Sequence, residues 1–186
     1  MKTIILYSLF CASLSLANEG REHLIYEEDS FENTELRCPS PTGKWQLVYR
    51  GLKHKEQKDI SVVREIILVS DTGHTISLKD AQTPALYLSN IMTQPWSPDG
   101  NWLVYPVSKW TYHFCPVSKL SELSVIPLEV KERTRYVLEG GHWQSNGTFI
   151  FRAGLSGYSA PYSATVSEKG IFYKQTGDMV KIAPKQ

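Results

Sequence analysis

The chain has 186 residues, 41% hydrophobic and 11% aromatic, with 20 basic against 19 acidic side chains and a net charge of +1. That length suits one domain, and the apolar and aromatic content excludes a disordered polymer. Near-neutrality excludes both the basic footprint of a nucleic-acid binder and the excess acid of a solvating tail.

Residues 1–17 read as a signal peptide. Lys2 supplies a positive start, Ile4-Ile5-Leu6-Tyr7-Ser8-Leu9-Phe10-Cys11-Ala12 an apolar run, and Ser15-Leu16-Ala17 the small residues of a cleavage site. The run falls short of the roughly 20 residues needed to span a bilayer, and nothing later is longer. The expectation is an exported protein, periplasmic or secreted, with residues 18–186 as one domain and no integral membrane segment. Phe10 ahead of Cys11 is too bulky for a lipid-anchor site. Two cysteines then remain, Cys38 and Cys115. In an oxidising compartment an even pair is a disulfide candidate, with two buried free thiols as the alternative.

Three units follow in chain order, with approximate bounds 24–92, 93–140 and 141–182. The first opens with Cys38-Pro39-Ser40-Pro41-Thr42-Gly43-Lys44-Trp45-Gln46-Leu47-Val48-Tyr49, the second with Pro95-Trp96-Ser97-Pro98-Asp99-Gly100-Asn101-Trp102-Leu103-Val104-Tyr105. The third opens with His142-Trp143-Gln144-Ser145-Asn146-Gly147-Thr148-Phe149-Ile150-Phe151. Their glycines lie 57 and 47 residues apart, close to a propeller-blade period. Thr-Gly, Asp-Gly and Asn-Gly suit hairpin turns because these residues tolerate positive φ. Each run after the turn is apolar on both faces, as in a sheet covered on both sides. A second hairpin recurs downstream: 65–70 with 74–78, 123–128 with 135–138, and 162–167 with 171–173. No stretch carries sustained helical periodicity. The expected fold is all-β, a propeller-like array of about three four-stranded antiparallel blades.

Trp96-Ser97-Pro98-Asp99-Gly100-Asn101-Trp102 resembles the blade motif of TolB-like, WD-repeat-like β-propellers, and Ile67-Leu68-Val69-Ser70-Asp71-Thr72-Gly73 resembles the next hairpin of such a blade. Pro39 replaces the motif's Trp in the first unit, and Ser145 its Pro in the third. The resemblance implies a fold and leaves function open, because propellers host unrelated activities. Propellers have four to eight blades, so three imply an incomplete ring, association of two chains, or a pseudo-blade built from the ends. In size, export and organisation the chain also resembles the periplasmic immunity proteins that neutralise type VI secreted peptidoglycan amidases.

Within each unit the connection between second and third strands reads as long: 51–64, 106–122 and 153–161. Related units would place all three on one face, where a rigid scaffold presents binding residues. The first is basic, the second aromatic, and the third mixes small residues with tyrosine. Aromatic side chains dominate protein-interface hot spots. Trp110, Tyr112, His113, Phe114 and Tyr158 are therefore the candidate partner-binding residues, the alternative being that Trp110 and Phe114 fold back as a minicore. Trp45, Trp96, Trp102, Trp143 and Phe149 recur at fixed repeat positions and are assigned to the core.

His23, His54, His74, His113 and His142 show no metal-ligand spacing, and neither a cofactor nor a metal is expected. Ser156 in Gly154-Leu155-Ser156-Gly157 misses a nucleophile elbow by one position. His113 and Cys115 would share one strand face, but no third group orients them. Asn146-Gly147-Thr148 is formally a glycosylation sequon. The leading expectation is a non-enzymatic binding protein acting on a protein partner, as an inhibitor or immunity protein of a secreted enzyme; self-association is left open. A TolB-like envelope scaffold and a secreted carbohydrate-active enzyme using scattered acids are the alternatives.

Overall fold

One turn design recurs four times in the computed structural model, which describes residues 30–79, 86–87, 92–131, 136–155 and 157–181. At Ser40, the backbone N–H donates to the Trp45 carbonyl (2.8 Å), the carbonyl accepts from Gly43 (2.9 Å), and the hydroxyl accepts from the Trp45 N–H (3.1 Å). Ser97 makes the same set with Trp102 and Gly100, and Ser70 a one-residue-shorter set with His74 and Gly73. Gln144 repeats the backbone part with Thr148 and Gly147, and Asn146 Oδ1 takes the Thr148 N–H. Gly43, Gly73, Gly100 and Gly147 all have φ between 71° and 85°, which a side chain disfavours. The repeat seen in the sequence is thus a hydrogen-bonding repeat. The expected signal peptide, 1–17, lies outside the described residues.

These turns fold the chain into three antiparallel sheets. The first is the meander β1 (Phe31–Pro39), β2 (Trp45–His54), β3 (Val62–Ser70) and β4 (Thr75–Lys79), with β5 (Leu86–Tyr87) paired to the start of β3. The second is β6 (Trp102–Ser108), β7 (Thr111–Pro116) and β8 (Ile126–Leu128), extended by a bridge from Trp96 to Leu103. A 3-10 helix, Val117–Glu122, links β7 to β8. The third is the meander β9 (Val137–Trp143), β10 (Phe149–Leu155), β11 (Tyr158–Ser167) and β12 (Gly170–Gln175), with β13 (Val180–Lys181) on β11.

The middle sheet is covered on both faces. Successive strand residues point to opposite sides, so Leu103, Tyr105 and Cys115 join Cys38, Leu47, Tyr49, Ile66 and Leu68 in one core. Val104, Tyr112, Phe114 and Leu128 join Trp143, Phe149, Phe151 and Tyr162 in the other. Each fully buried large apolar side chain contributes about 1.5–3 kcal/mol. Tryptophan N–H groups pin the layers together: Trp96 Nε1 donates to the Cys38 carbonyl (2.9 Å) and Trp143 Nε1 to the Pro95 carbonyl (3.3 Å). Trp96, Trp143 and Phe149 are buried, and Trp45 and Trp102 pack against the cores, as their repeat positions require.

Three expectations are corrected. The connections read as long loops are mostly strand: β2 runs to His54, β6 and β7 are separated only by Lys109 and Trp110, and β10 runs to Leu155. Gly51 and Gly154 look like loop residues, yet each lies within a strand where a Cβ would overlap a neighbouring carbonyl, that of Val62 or Tyr158. Glycine inside a strand here marks close backbone approach. Second, Val137 and Leu138 pair with Gly154 and Ala153 of β10 and so open the third sheet; they do not close the second. Third, Cys38 and Cys115 are both free and buried. They share a core but sit on strands of different sheets, and the sulfurs face different carbonyls: Met92 for Cys38, Pro116 and Lys119 for Cys115. Burial pushes both thiols up to about 11.

Candidate protein-binding end

The four glycine turns fix which strand ends lie together. A Cβ on Gly100 would stand 3.8 Å from Pro41, so the first and second openings are neighbours. Trp143, at the third, reaches the Pro95 carbonyl. The strands β2, β6 and β10 each start from one of these turns, and β6 and β10 bring their far ends together at the opposite end. There the Lys109 carbonyl accepts from the Leu138 N–H (2.7 Å), joining the β6–β7 turn to the start of β9. Leu138 pairs with Ala153, two residues before the end of β10, which brings the β10–β11 turn alongside.

The candidate residues divide. Trp110 is 37% exposed at the β6–β7 turn, where its N–H donates to Ser108 Oγ (3.1 Å) and Lys109 Nζ sits 4.7 Å from its ring centroid. Tyr158, 48% exposed, opens β11 and pairs with Leu155, itself 44% exposed. These three side chains stand at the same end. Tyr112 and Phe114 do not join them. Both are fully buried; Tyr112 donates to the Gly140 carbonyl (2.6 Å), and Phe114 packs edge-on against Trp143 and Phe149. They alternate with His113, which faces the other way, half-buried and edge-on to Tyr105 at 5.6 Å. Burial depresses the His113 pKa, and nearby Glu129 opposes the shift. Burial likewise raises the Tyr112 phenol.

Sequence reasoning missed several exposed apolar side chains on the third sheet. Phe172 is 70% exposed on β12, and Met179 and Val180 are exposed at β13, whose Val180 pairs with Ser159 and Lys181 with Tyr158. The consecutive run Ile171-Phe172-Tyr173 carried that signal, since an alternating strand must turn one of them outward. Leu155 was likewise hidden by being read as mid-loop.

Two concavities accompany these surfaces. The larger, about 710 Å³, lies on the first sheet among Asn33, Glu35, Arg50, Arg64 and Glu65. Much of its charge is paired internally, Arg50 bonding Glu35 at 2.8 Å and Glu65 at 3.8 Å. The smaller, about 120 Å³, lies at the turn end, lined by Val137, Glu139, Gly154, Leu155, Gly157, Tyr158 and Ser159. Among the described residues no group of three His, Cys, Asp or Glu is placed to hold a metal ion, and no helix is long and apolar enough to cross a membrane. No family model, no curated protein and no solved structure matches this chain. The functional reading therefore rests on the geometry.

Proposed function

We propose that the chain is an exported, non-catalytic binding protein whose three sheets form a propeller-like array and present one end to a protein partner. The form we favour is an inhibitor that inserts this end into the cleft of a secreted enzyme. One observation carries the reading: Trp110 is exposed on the tight turn of the doubly covered sheet, and Leu155 and Tyr158 are exposed at the neighbouring turn of the third sheet. Exposed aromatic and aliphatic side chains on rigid supports bind with little loss of conformational freedom. The common starting end of β2, β6 and β10, and the repeated glycine turn, support blade-like units; the outer sheets would be the open flanks of an incomplete ring.

The test is affinity capture from envelope and culture-fluid fractions, using the chain produced without residues 1–17. Trp110→Ala with Tyr158→Ala is expected to weaken the recovered partner's binding by at least about tenfold, the scale of a hot-spot truncation. Equal retention of every recovered partner by the double variant would overturn the assignment of this end. Glycan turnover by the wild type, abolished by one carboxylate substitution, would overturn the non-catalytic reading.

A further inference from the structure

The third sheet ends in an unguarded edge. β12 pairs with β11 on one side and with no described strand on the other, and β13 continues the same side of β11. Phe172, Tyr173, Met179 and Val180 are all exposed along this edge. A free edge presents a row of unpaired N–H and C=O groups, which charge, proline or a bulge ordinarily blunts. β1, at the edge of the first sheet, carries Glu32, Glu35 and Arg37, with both acids in ion pairs. β12 has no proline and a single charge, Lys174, beside Ile171-Phe172-Tyr173. Alternation fixes the faces of this strand. Ile171 packs against the core shared with the middle sheet, and Tyr173 meets Tyr162 edge-on at 6.3 Å, so both lie on the core face. Phe172 and Lys174 therefore lie on the outer one.

Independently of the turn end, we infer that β12 pairs antiparallel with β12 of a second copy of this chain, about a two-fold axis at Phe172. Opposed residues of an antiparallel pair share a face, so a symmetric pairing must be centred on a residue. The strand's own sequence selects both the occupant and the centre. Its apolar run is centred on Phe172, so this register sets Phe172 against its counterpart and Ile171 against Tyr173, and joins the two meanders into one continuous sheet. Lys174 then lies opposite Gly170, where even an added Cβ would meet open space. At about 3.3 Å per residue the two lysines stand about 13 Å apart along the strands. That exceeds the roughly 10 Å over which exposed charges act at 0.1 M salt. Centring on Lys174 would bring like charges together, and centring on Tyr173 would set Ile171 against Gln175.

Sedimentation equilibrium of the chain lacking residues 1–17, from micromolar to millimolar concentration, tests this, and a reversible dimer is expected. Phe172→Lys sets two cations at the axis and should weaken the dimer about tenfold or more, through the lost aromatic pair and the like charges. Phe172→Ala, which adds no charge, should weaken it less. Ser145→Lys, the same charge on an exposed turn of the same sheet, should leave it unchanged. In a mixture of isotope-labelled and unlabelled chain, filtered NOEs should link Ile171 to Tyr173 of the second copy. A chain that stays monomeric, a dimer untouched by Phe172→Lys, or NOEs joining other strands would each overturn the inference. So would a monomer whose β12 amides shift only when an extended peptide is added, since the edge would then take a different occupant. Loss of amide dispersion in both Phe172 variants would show that side chain to be structural and would also overturn it. The turn-end reading fails separately, through retained partner capture by the Trp110 and Tyr158 variants.

Discussion

Tyr112 and Trp110 stand two residues apart and should respond to truncation in opposite ways. Tyr112 is fully buried, packs edge-on against Phe149 and Phe151 at centroid distances of 6.2 and 6.4 Å, and donates its hydroxyl to the Gly140 carbonyl. Removing a buried ring costs about 3–5 kcal/mol through lost transfer energy and the cavity left behind. Losing the hydrogen bond to Gly140, an exposed residue, would add about 0.5–1.5 kcal/mol. A Tyr112→Ala loss of about 4 kcal/mol, divided by a urea slope of about 2 kcal/mol/M, shifts the denaturation midpoint by about 2 M. Tyr112→Phe keeps the ring and loses only the hydrogen bond, so it should cost about 0.5–1.5 kcal/mol. Trp110→Ala removes a ring held at a turn with one cation–π contact and should cost less than about 1 kcal/mol. Urea unfolding followed by far-UV circular dichroism measures all three without depending on tryptophan emission. Similar midpoints for Tyr112→Ala and Trp110→Ala would refute the burial argument and return Tyr112 to the surface.

Two further outcomes follow from buried titratable groups. The folded pKa of His113 lies below the ordinary 6.5, so the unfolded chain takes up the proton first. Its contribution is complete above pH 6.5 and is drawn down as pH falls below that value; His113→Gln should flatten the stability profile there, and an unchanged slope would refute the assignment. Cys38 and Cys115, raised to about 11, should react with a thiol reagent at pH 8 only after unfolding. In the chain lacking residues 1–17, and so lacking Cys11, two thiols titrated in denaturant without reductant would fit the free state, and none would establish a bridge.

The elements legible in the sequence are those whose chemistry is local. Ser40, Ser97 and Ser70 each precede a glycine by three residues, and that spacing alone specifies the turn hydrogen bonds. Trp96, Trp143 and Phe149 were recognisable as core because they recur at fixed offsets from those turns. The fate of Tyr112 and Phe114 was not legible. In a sheet covered on both faces the apolar pattern has no period that separates inside from outside, so an aromatic strand reads like an aromatic loop. Gly51 and Gly154 compounded the error, since a residue used for close strand approach is also the residue of turns.

The double cover of the middle sheet also sets an order of assembly. As the ribosome releases the chain from its amino end, residues 31–128 complete the first core while Val104, Tyr112 and Phe114 still face water. Only the arrival of residues 137–166 closes that greasy flank. Until then that apolar face is open to water, and a product truncated near residue 131 should be insoluble even though two of its three sheets are present.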